Sequence, residues 1–332
     1  MSLISHILYD WNLISLRYDQ KNRKLRSIYA SALTERKPHV NTIIYMENDI
    51  IHDGGLGDRI HGMISMYLFA KDNHLSFKLN HCNPFTLTDY FVPNDYDWTI
   101  DSNEIEYNNN IAYPIRMAQT WGKYGGTQEQ EARFMYRYLS KKIKEHGDKE
   151  FHLYTNAHFA STPKLYSQMF HELFKPSAKL QKAIDENKAN INGKYVSVTL
   201  RFQNLLGDFY EGKFPTLPEK EQEKLIDKVK EKIEELHFSV HQDHKVLVTS
   251  DSRKFLDAVE DLDYVYTIPG KMVHMSYTPI HDFNTHLKSF VDLLMLADAE
   301  KLYLLVTDGM YRSGFAKSAS FINNRPYEEI IW

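Results

Sequence analysis

The chain has 332 residues, 42% hydrophobic and 25% charged, with a formal net charge of −4. That length accommodates two domains and buries roughly three quarters of the surface its unfolded form exposes. A balance this close to neutral excludes the footprint of a nucleic-acid binder. The single cysteine, Cys82, excludes an intramolecular disulfide and fits a reducing, cytoplasmic setting. No run of about eighteen apolar residues predicts a membrane span. The N-terminus lacks the basic start and apolar core of a signal peptide. Without a polybasic amphipathic helix, only peripheral membrane contact is left open. The 22 Tyr, 18 Phe and 4 Trp supply rings that stack on sugars, although most must form core.

Residues 1–40 are polar and basic in places, around Lys21 to Arg26, and read as an extension or a short helical arm. Thr42-Ile43-Ile44-Tyr45-Met46 has strand character. The turn Gly54-Gly55-Leu56-Gly57-Asp58-Arg59 follows, and then a helix whose Ile60, Met63, Ile64, Tyr67 and Leu68 fall on one stripe. Glycine there serves turn geometry, or it lets a ligand approach backbone N–H groups at a helix start. With a strand at Leu75–Leu79 these segments make a βαβ unit.

Residues 101–150 are less regular, with a turn at Asn108–Asn110, a loop at Gly122–Gly126 and a helix over Glu129–His146. His152–Tyr154 reads as a strand. Pro163–Asn190 reads as helical, and the domain junction is placed near its end, dividing the chain into 1–190 and 191–332.

The second half alternates strand and helix more plainly. Strands are predicted at Lys194–Leu200, Lys245–Ser250, Tyr264–Ile268 and Lys301–Val306. Between them lie helices at Glu219–Leu236 (with Leu225, Val229, Ile233 and Leu236 on one face), at 253–260 and at Leu287–Ala297. This alternation predicts a parallel, doubly wound sheet whose ligands bind beyond the carboxyl ends of the strands. Arg201, Asp251 and Thr307 follow such ends.

Each of these positions has a structural and a chemical reading. Arg201 needs a partner for its charge, either an ion pair within the fold or a phosphate, which guanidinium matches in a bidentate way. Asp251 and Ser252 either cap a helix or turn a carboxylate toward a base or a ribose. Ser313-Gly314-Phe315-Ala316-Lys317 is a loop entering a helix, with small residues that permit close approach. Asp208 and Glu211 lie in a loop and are either solvated or candidate bases. Asp261-Leu262-Asp263 has the acid-x-acid form of some metal-dependent glycosyltransferases, in a connection that reads as solvated. The 16 histidines show no zinc-site spacing, and no phosphate loop or nucleophile elbow is present.

Taken in order, these segments resemble the fucosyltransferase superfamily of GT-B fold, which includes the α1,2-, α1,6- and protein O-fucosyltransferases and the Nod-factor enzyme. Gly55-Leu56-Gly57-Asp58-Arg59 is similar to its first motif, a glycine turn before a long helix. Thr199-Leu200-Arg201 with Gly207-Asp208 resembles His-x-Arg-x-Gly-Asp. Val248-Thr249-Ser250-Asp251-Ser252 resembles its strand followed by Thr/Ser-Asp. Ser313–Ala319 resembles Ser-Ser-Phe-Ser-x-x-Ala, with Asp292–Asp298 as the lead-in. The likeness runs from about residue 54 to 320. It departs at Thr199, which stands where the motif has histidine, in lacking a second arginine after Arg201, and in the displacement of Gly207-Asp208.

The resemblance implies an α/β chain of GT-B type, two Rossmann-like domains facing a central cleft. It implies an inverting, metal-independent transfer of fucose from GDP-fucose to a glycan or glycolipid acceptor, with no cofactor beyond the donor. Arg201 would clamp the β-phosphate, and Asp251 with Ser252 would face guanine or ribose. Ser313, Phe315 and Lys317 would line the phosphate and base pocket. Gly55, Gly57, Asp58 and Arg59 would reach toward donor phosphate or acceptor, and Asp208, Glu211 or Asp58 would serve as base. Another nucleotide sugar such as GDP-mannose, or a non-catalytic binding module, are the alternatives.

Overall fold

The computed structural model of the chain describes residues 3–51, 54–119, 126–212, 214–273, 275 and 282–332, with side chains from residue 15 onward. The predicted loop at 122–126 lies outside them apart from Gly126. The chain forms two compact units, Met1–Asn83 with Pro93–Phe174, and Pro84–Val92 with Lys175–Trp332. The long stretch of the second unit runs from Lys175, where the sequence suggests a junction near 190.

The first unit runs α1 (Leu3–Arg26), β1 (Thr42–Glu47), α2 (Leu56–Asp72) and β2 (Ser76–His81). The short β3 (Phe91–Pro93) follows at the return to this unit. Then come β4 (Ala112–Met117), α3 (Gln128–Glu145), β5 (Glu150–Thr155) and α4 (Pro163–Leu173). The strands make a parallel sheet of order β2-β1-β5-β4. All six residues of β1 and of β5 are buried, as expected of inner strands covered on both faces. β4 escapes sequence reading because it is an edge strand interrupted by Pro114, a residue sheets tolerate at their edges.

The predicted single stripe of α2 becomes a helix buried on all sides from Arg59 to Ala70, because it lies between the sheet and α4. Gly62 makes that approach possible, since a Cβ there would meet the Thr155 carbonyl oxygen at 2.1 Å.

The segment predicted as an extension or a short helical arm forms the helix α1, and from residue 15 onward its side chains pack into the first unit. Asn22 Oδ1 accepts the Arg116 N–H at 2.6 Å, and Tyr18 donates to the Ala118 carbonyl at 2.9 Å. Beyond α1, Tyr29 and Arg36 join a buried polar chain along one face of β5. Arg36 grips Glu150 with both Nη atoms at 3.1 and 2.8 Å, and His152 Nε2 lies 3.0 Å from Glu150 Oε1. Tyr29 Oη lies 2.9 Å from His152 Nδ1 and 3.0 Å from Tyr154 Oη.

The helix predicted over 163–190 is broken by the extended β6 (Phe174–Pro176). Pro176 disfavours helix at the residue before it, and Ser177 then caps α5 (Ala178–Ile191) by accepting the Leu180 N–H. The second unit continues with β7 (Tyr195–Leu200), α6 (Glu219–Val240), β8 (Lys245–Ser250), α7 (Arg253–Val259) and β9 (Val265–Thr267). It ends with α8 (Phe283–Asp298), β10 (Leu302–Val306), α9 (Phe315–Ile322) and β11 (Tyr327–Ile331).

Its strands are all parallel, in the order β11-β10-β7-β8-β9. Val196, Val198, Val246 and Val248 pack with the predicted α6 stripe of Leu225, Val229, Ile233 and Leu236 in one core. β11 was not foreseen, because an edge strand with exposed Glu328 and Ile331 carries no clean apolar run. The chain proceeds outward from β7 to β9 on one side and from β10 to β11 on the other. The order therefore reverses between β7 and β10, which is where open parallel sheets of this kind bind ligands.

Candidate active site

Arg201 leaves the carboxyl end of β7 at that reversal. Its Nη2 lies 2.5 Å from Glu211 Oε2 and its Nε 3.3 Å from Asp251 Oδ2. The guanidinium carbon stands 4.9 Å above the centre of the Phe209 ring. Of the two sequence readings of Arg201, the ion pair within the fold is the one observed. The cation is paired within the fold, yet 21% of the side chain remains exposed.

Asp251 supports this arginine from below. Its Oδ1 accepts the Phe202 N–H and its Oδ2 the Gln203 N–H, each at 2.8 Å. Burial pushes the Asp251 carboxyl above the usual carboxylate range, while Arg201 and the two N–H groups pull the other way. Only 1% of the side chain is exposed. The expectation that Asp251 faces guanine or ribose is therefore corrected: its oxygens are spent on the turn that follows Arg201.

Ser252 is likewise internal. Its Oγ caps α7 by accepting the Phe255 N–H at 3.1 Å and donates to Asp208 Oδ2 at 3.0 Å. Asp208 Oδ2 also accepts the Lys254 N–H at 2.7 Å, so both side chains complement the positive end of α7. Ser252 is completely buried and is a helix cap, not a ligand contact. Asp208 is not a free loop carboxylate. Thr199, which stands where the family motif has histidine, pairs with Thr249 across β7 and β8 at 3.0 Å inside the sheet.

The loop after β10 closes the other side of the reversal. Thr307 is buried, donating to the Trp332 carbonyl at 2.6 Å and accepting from Lys228 Nζ at 2.8 Å. The Tyr311 N–H donates to the Arg201 carbonyl at 2.9 Å, which fixes this loop against the end of β7. Ser313 Oγ accepts the Phe315 N–H at 3.2 Å. Gly314 caps α9 with no side-chain bond, and a Cβ added there would meet nothing within 4 Å. Phe315 is half-buried and Lys317 exposed. The start of α9 thus has open space beside Gly314, with the Phe315 N–H taken by Ser313 Oγ.

In the first unit, the glycine turn lies between the carboxyl end of β1 and the start of α2. Gly54 has φ +83°, in the left-handed region that favours glycine. Gly55 caps α2 with open space around its missing Cβ, and Gly57 is half-buried in the first turn. Asp58 reaches back to the Gly55 N–H, and burial raises its carboxyl pKa against that bond and the neighbouring Arg59. Arg59 does not face solvent. Its side chain is 0% exposed, with Nη1 3.0 Å from Glu47 Oε1 and donating to the Asn83 carbonyl at 2.9 Å, while Nε donates to the Gly54 carbonyl at 3.2 Å. It braces the turn from inside, which corrects its assignment to the donor.

Sequence reasoning missed Phe209, Gln203, Asn204 and Tyr311. Asn204 Oδ1 accepts the Glu211 N–H at 2.7 Å, and Gln203 adopts φ +53°. No periodicity marks such loop residues. Asp261 and Asp263 are exposed in the connection from α7 to β9, as their solvated reading has it. Among the described residues no helix is long and apolar enough to cross a membrane.

No family model matches the chain, and no curated protein matches it in sequence. Solved structures do match it. An arginine-to-lysine variant of Arabidopsis thaliana FUT1, in complex with GDP, matches with a TM-score of 0.54 at 12% identity, covering 98% of this chain and 78% of that one. The α-1,6-fucosyltransferase NodZ, soaked with GDP-fucose, matches with a TM-score of 0.51 at 14% identity over 85% of this chain and 92% of its own. NodZ from Bradyrhizobium matches with 0.51 at 13% identity over 86% and 93%. The fold is fucosyltransferase-like and of GT-B type. Within this fucosyltransferase-like fold, Arg201, Glu211, Phe209, Tyr311 and the start of α9 gather at the reversal of the second sheet. Asp251, Ser252 and Asp208 hold them there.

Proposed function

We propose that the chain is a glycosyltransferase that takes a GDP-sugar, with GDP-fucose as its donor and a glycan or glycolipid as its acceptor. The observation that carries this reading is a partly exposed arginine at the carboxyl end of β7, where the strand order reverses, joined through its own carbonyl to the loop that opens α9. Of the proteins of similar fold, one was solved in complex with GDP and another after soaking with GDP-fucose, which favours a guanine nucleotide over other diphosphates.

In the proposed reaction the acceptor oxygen attacks the anomeric carbon from the side opposite the phosphate. The carbon–oxygen bond to the β-phosphate breaks and its electron pair leaves with GDP, inverting the centre. Arg201 and the N–H groups at the start of α9 neutralise the departing diphosphate, the role a divalent cation plays in other transferases. In this reading Glu211, paired with Arg201, takes the acceptor proton, since Asp208 is engaged at α7. Ser313, Phe315 and Lys317 line the donor side.

The test is calorimetry with GDP, UDP and ADP, followed by an assay of donor turnover in wild type and Arg201→Ala. GDP is expected to bind best, and the substitution to lower turnover by about 10²–10³. A preference for UDP overturns the fucose donor. Equal background release of GDP by both proteins makes the chain a binding module.

A further inference from the structure

We infer that the first unit carries a one-way hydrogen-bond relay from the bend after β1 to Glu150, and that protonation of His152 reverses it and releases the bend. The relay is independent of the donor reading. Glu150, His152 and Tyr154 alternate along β5 and so share one face of the sheet. β1 runs parallel to β5, so Asn48, just past the end of β1, and Glu150, first in β5, lie at opposite ends of that sheet.

Both ends impose the same direction. Glu150 is ionised in the grip of Arg36 and can only accept, so the His152 Nε2 at 3.0 Å carries a proton. The neutral ring then accepts at Nδ1, and Tyr29 donates to it at 2.9 Å. With its one hydrogen spent, Tyr29 accepts that of Tyr154 at 3.0 Å. Tyr154 accepts in turn from Asn48 Nδ2 at 3.3 Å, which also donates to Tyr107 Oη at 3.1 Å. At the far end the Ile50 and Ile51 N–H groups can only donate, and both reach Asn48 Oδ1, at 3.0 and 3.4 Å. The Asn48 amide is thus oriented identically from either side, and bonds chained in this way polarise one another.

Glu150, Arg36 and His39 face His152 from one side, and Tyr29 and Tyr107 from the other. The flanking strands add only Ile44 and Pro114 beside it. Burial holds the ring neutral, which keeps the relay in its one direction. A second proton makes Nδ1 a donor, and Tyr29 must then turn its hydrogen toward Tyr154. Tyr154 needs an acceptor, and its remaining described partner is Asn48. Only a reversed amide accepts there, and reversal sets the NH2 group against the Ile50 and Ile51 N–H groups. The bend loses its side-chain anchor just ahead of the glycine segment.

The experiment follows 15N-labelled histidine and isoleucine by NMR in the full chain from about pH 8 to pH 5, either side of the ordinary histidine pKa. At the upper end the His152 proton is expected on Nε2, and the Ile50 and Ile51 amides should shift with the midpoint of His152. In Tyr29→Phe, with folding confirmed by thermal melt, His152 should still titrate while the two amides no longer follow it. A loosened but merely structural Tyr29 would not separate the two titrations. A proton on Nδ1 in wild type, amides that shift with another midpoint, or unfolding while His152 is still neutral overturns the relay. So does a folded Tyr29→Phe protein whose Ile50 and Ile51 amides still track His152. If that variant does not fold, the wild-type tautomer and the shared midpoint decide by themselves.

Discussion

Gln203 sits in the left-handed region at φ +53°, and Asp251 Oδ2 receives its N–H at 2.8 Å. A residue with a side chain gives up about 1–2 kcal/mol in that conformation, so it persists only where its surroundings impose it. Here the imposing group is a carboxylate at the end of the neighbouring strand. The turn it enforces aims Arg201 away from the sheet.

Asp251→Ala is accordingly expected to cost about 2–4 kcal/mol in urea unfolding, because it strands two buried N–H groups and half-frees an arginine. Asp251→Asn, which keeps one acceptor oxygen, should cost less. GDP affinity should fall in both even where the protein is fully folded. Unchanged affinity in the folded fraction would show that Asp251 does not position Arg201.

The glycines divide into two kinds. Gly62→Ala drives a Cβ to 2.1 Å from the Thr155 carbonyl oxygen and is expected to destabilise by about 3 kcal/mol or more. Gly314→Ala meets open space at φ −78° and should shift stability by no more than about 0.5 kcal/mol. Gly314→Val should leave the melting temperature in place and weaken GDP binding. A stable Gly314→Val protein that binds GDP normally would remove the start of α9 from the site.

Acid should unfold the first unit through the chain of Glu150 and His152. Burial alone would raise the Glu150 carboxyl, but bonds from His152, Arg36 and the His39 N–H bring it down to about 2. A depressed carboxyl stabilises above its unfolded pKa and loses that contribution as pH falls from about 5 toward 2. His152 is held below the usual histidine range by burial, so the unfolded chain protonates first and the loss begins near pH 6.5. Urea midpoints taken between pH 7.5 and 4 should fall steadily, and Glu150→Gln should flatten the lower part of the curve. A midpoint indifferent to pH would contradict this account.

Turnover should survive EDTA, since in the proposed reaction Arg201 and the start of α9 meet the charge on the leaving diphosphate. Loss of activity on chelation, restored by a divalent cation, would require a different site for that charge.

Much of the second unit was legible because parallel strands buried on both faces read as continuous apolar runs. Val246-Leu247-Val248 and Leu302–Val306 are such runs, and α6 carries its stripe in register with them. The edge strands β2 and β9 were legible too, but β4 and β11 were not, because Pro114 and Arg116 interrupt one and Glu328 and Glu329 the other. Of the candidate site, strand ends located Arg201 and Asp251, but the same end position hosts one residue turned outward and one turned in.

Alternation of period and apolar runs determined, from the sequence by itself, that this chain builds parallel α/β sheets and that Arg201 leaves a strand tip. Only the tertiary structure decided which carboxylates are committed inside the fold and which arginine is sealed. Arg59 and Arg201 both look like cations beside a turn, yet one is enclosed with Glu47 and the other keeps a face open to solvent. The reason is physical. Burial of a charge depends on what distant segments bring to it, here Glu47 and Asn83 for Arg59 and a loop anchored by Asn204 for Arg201, and no local pattern records those encounters.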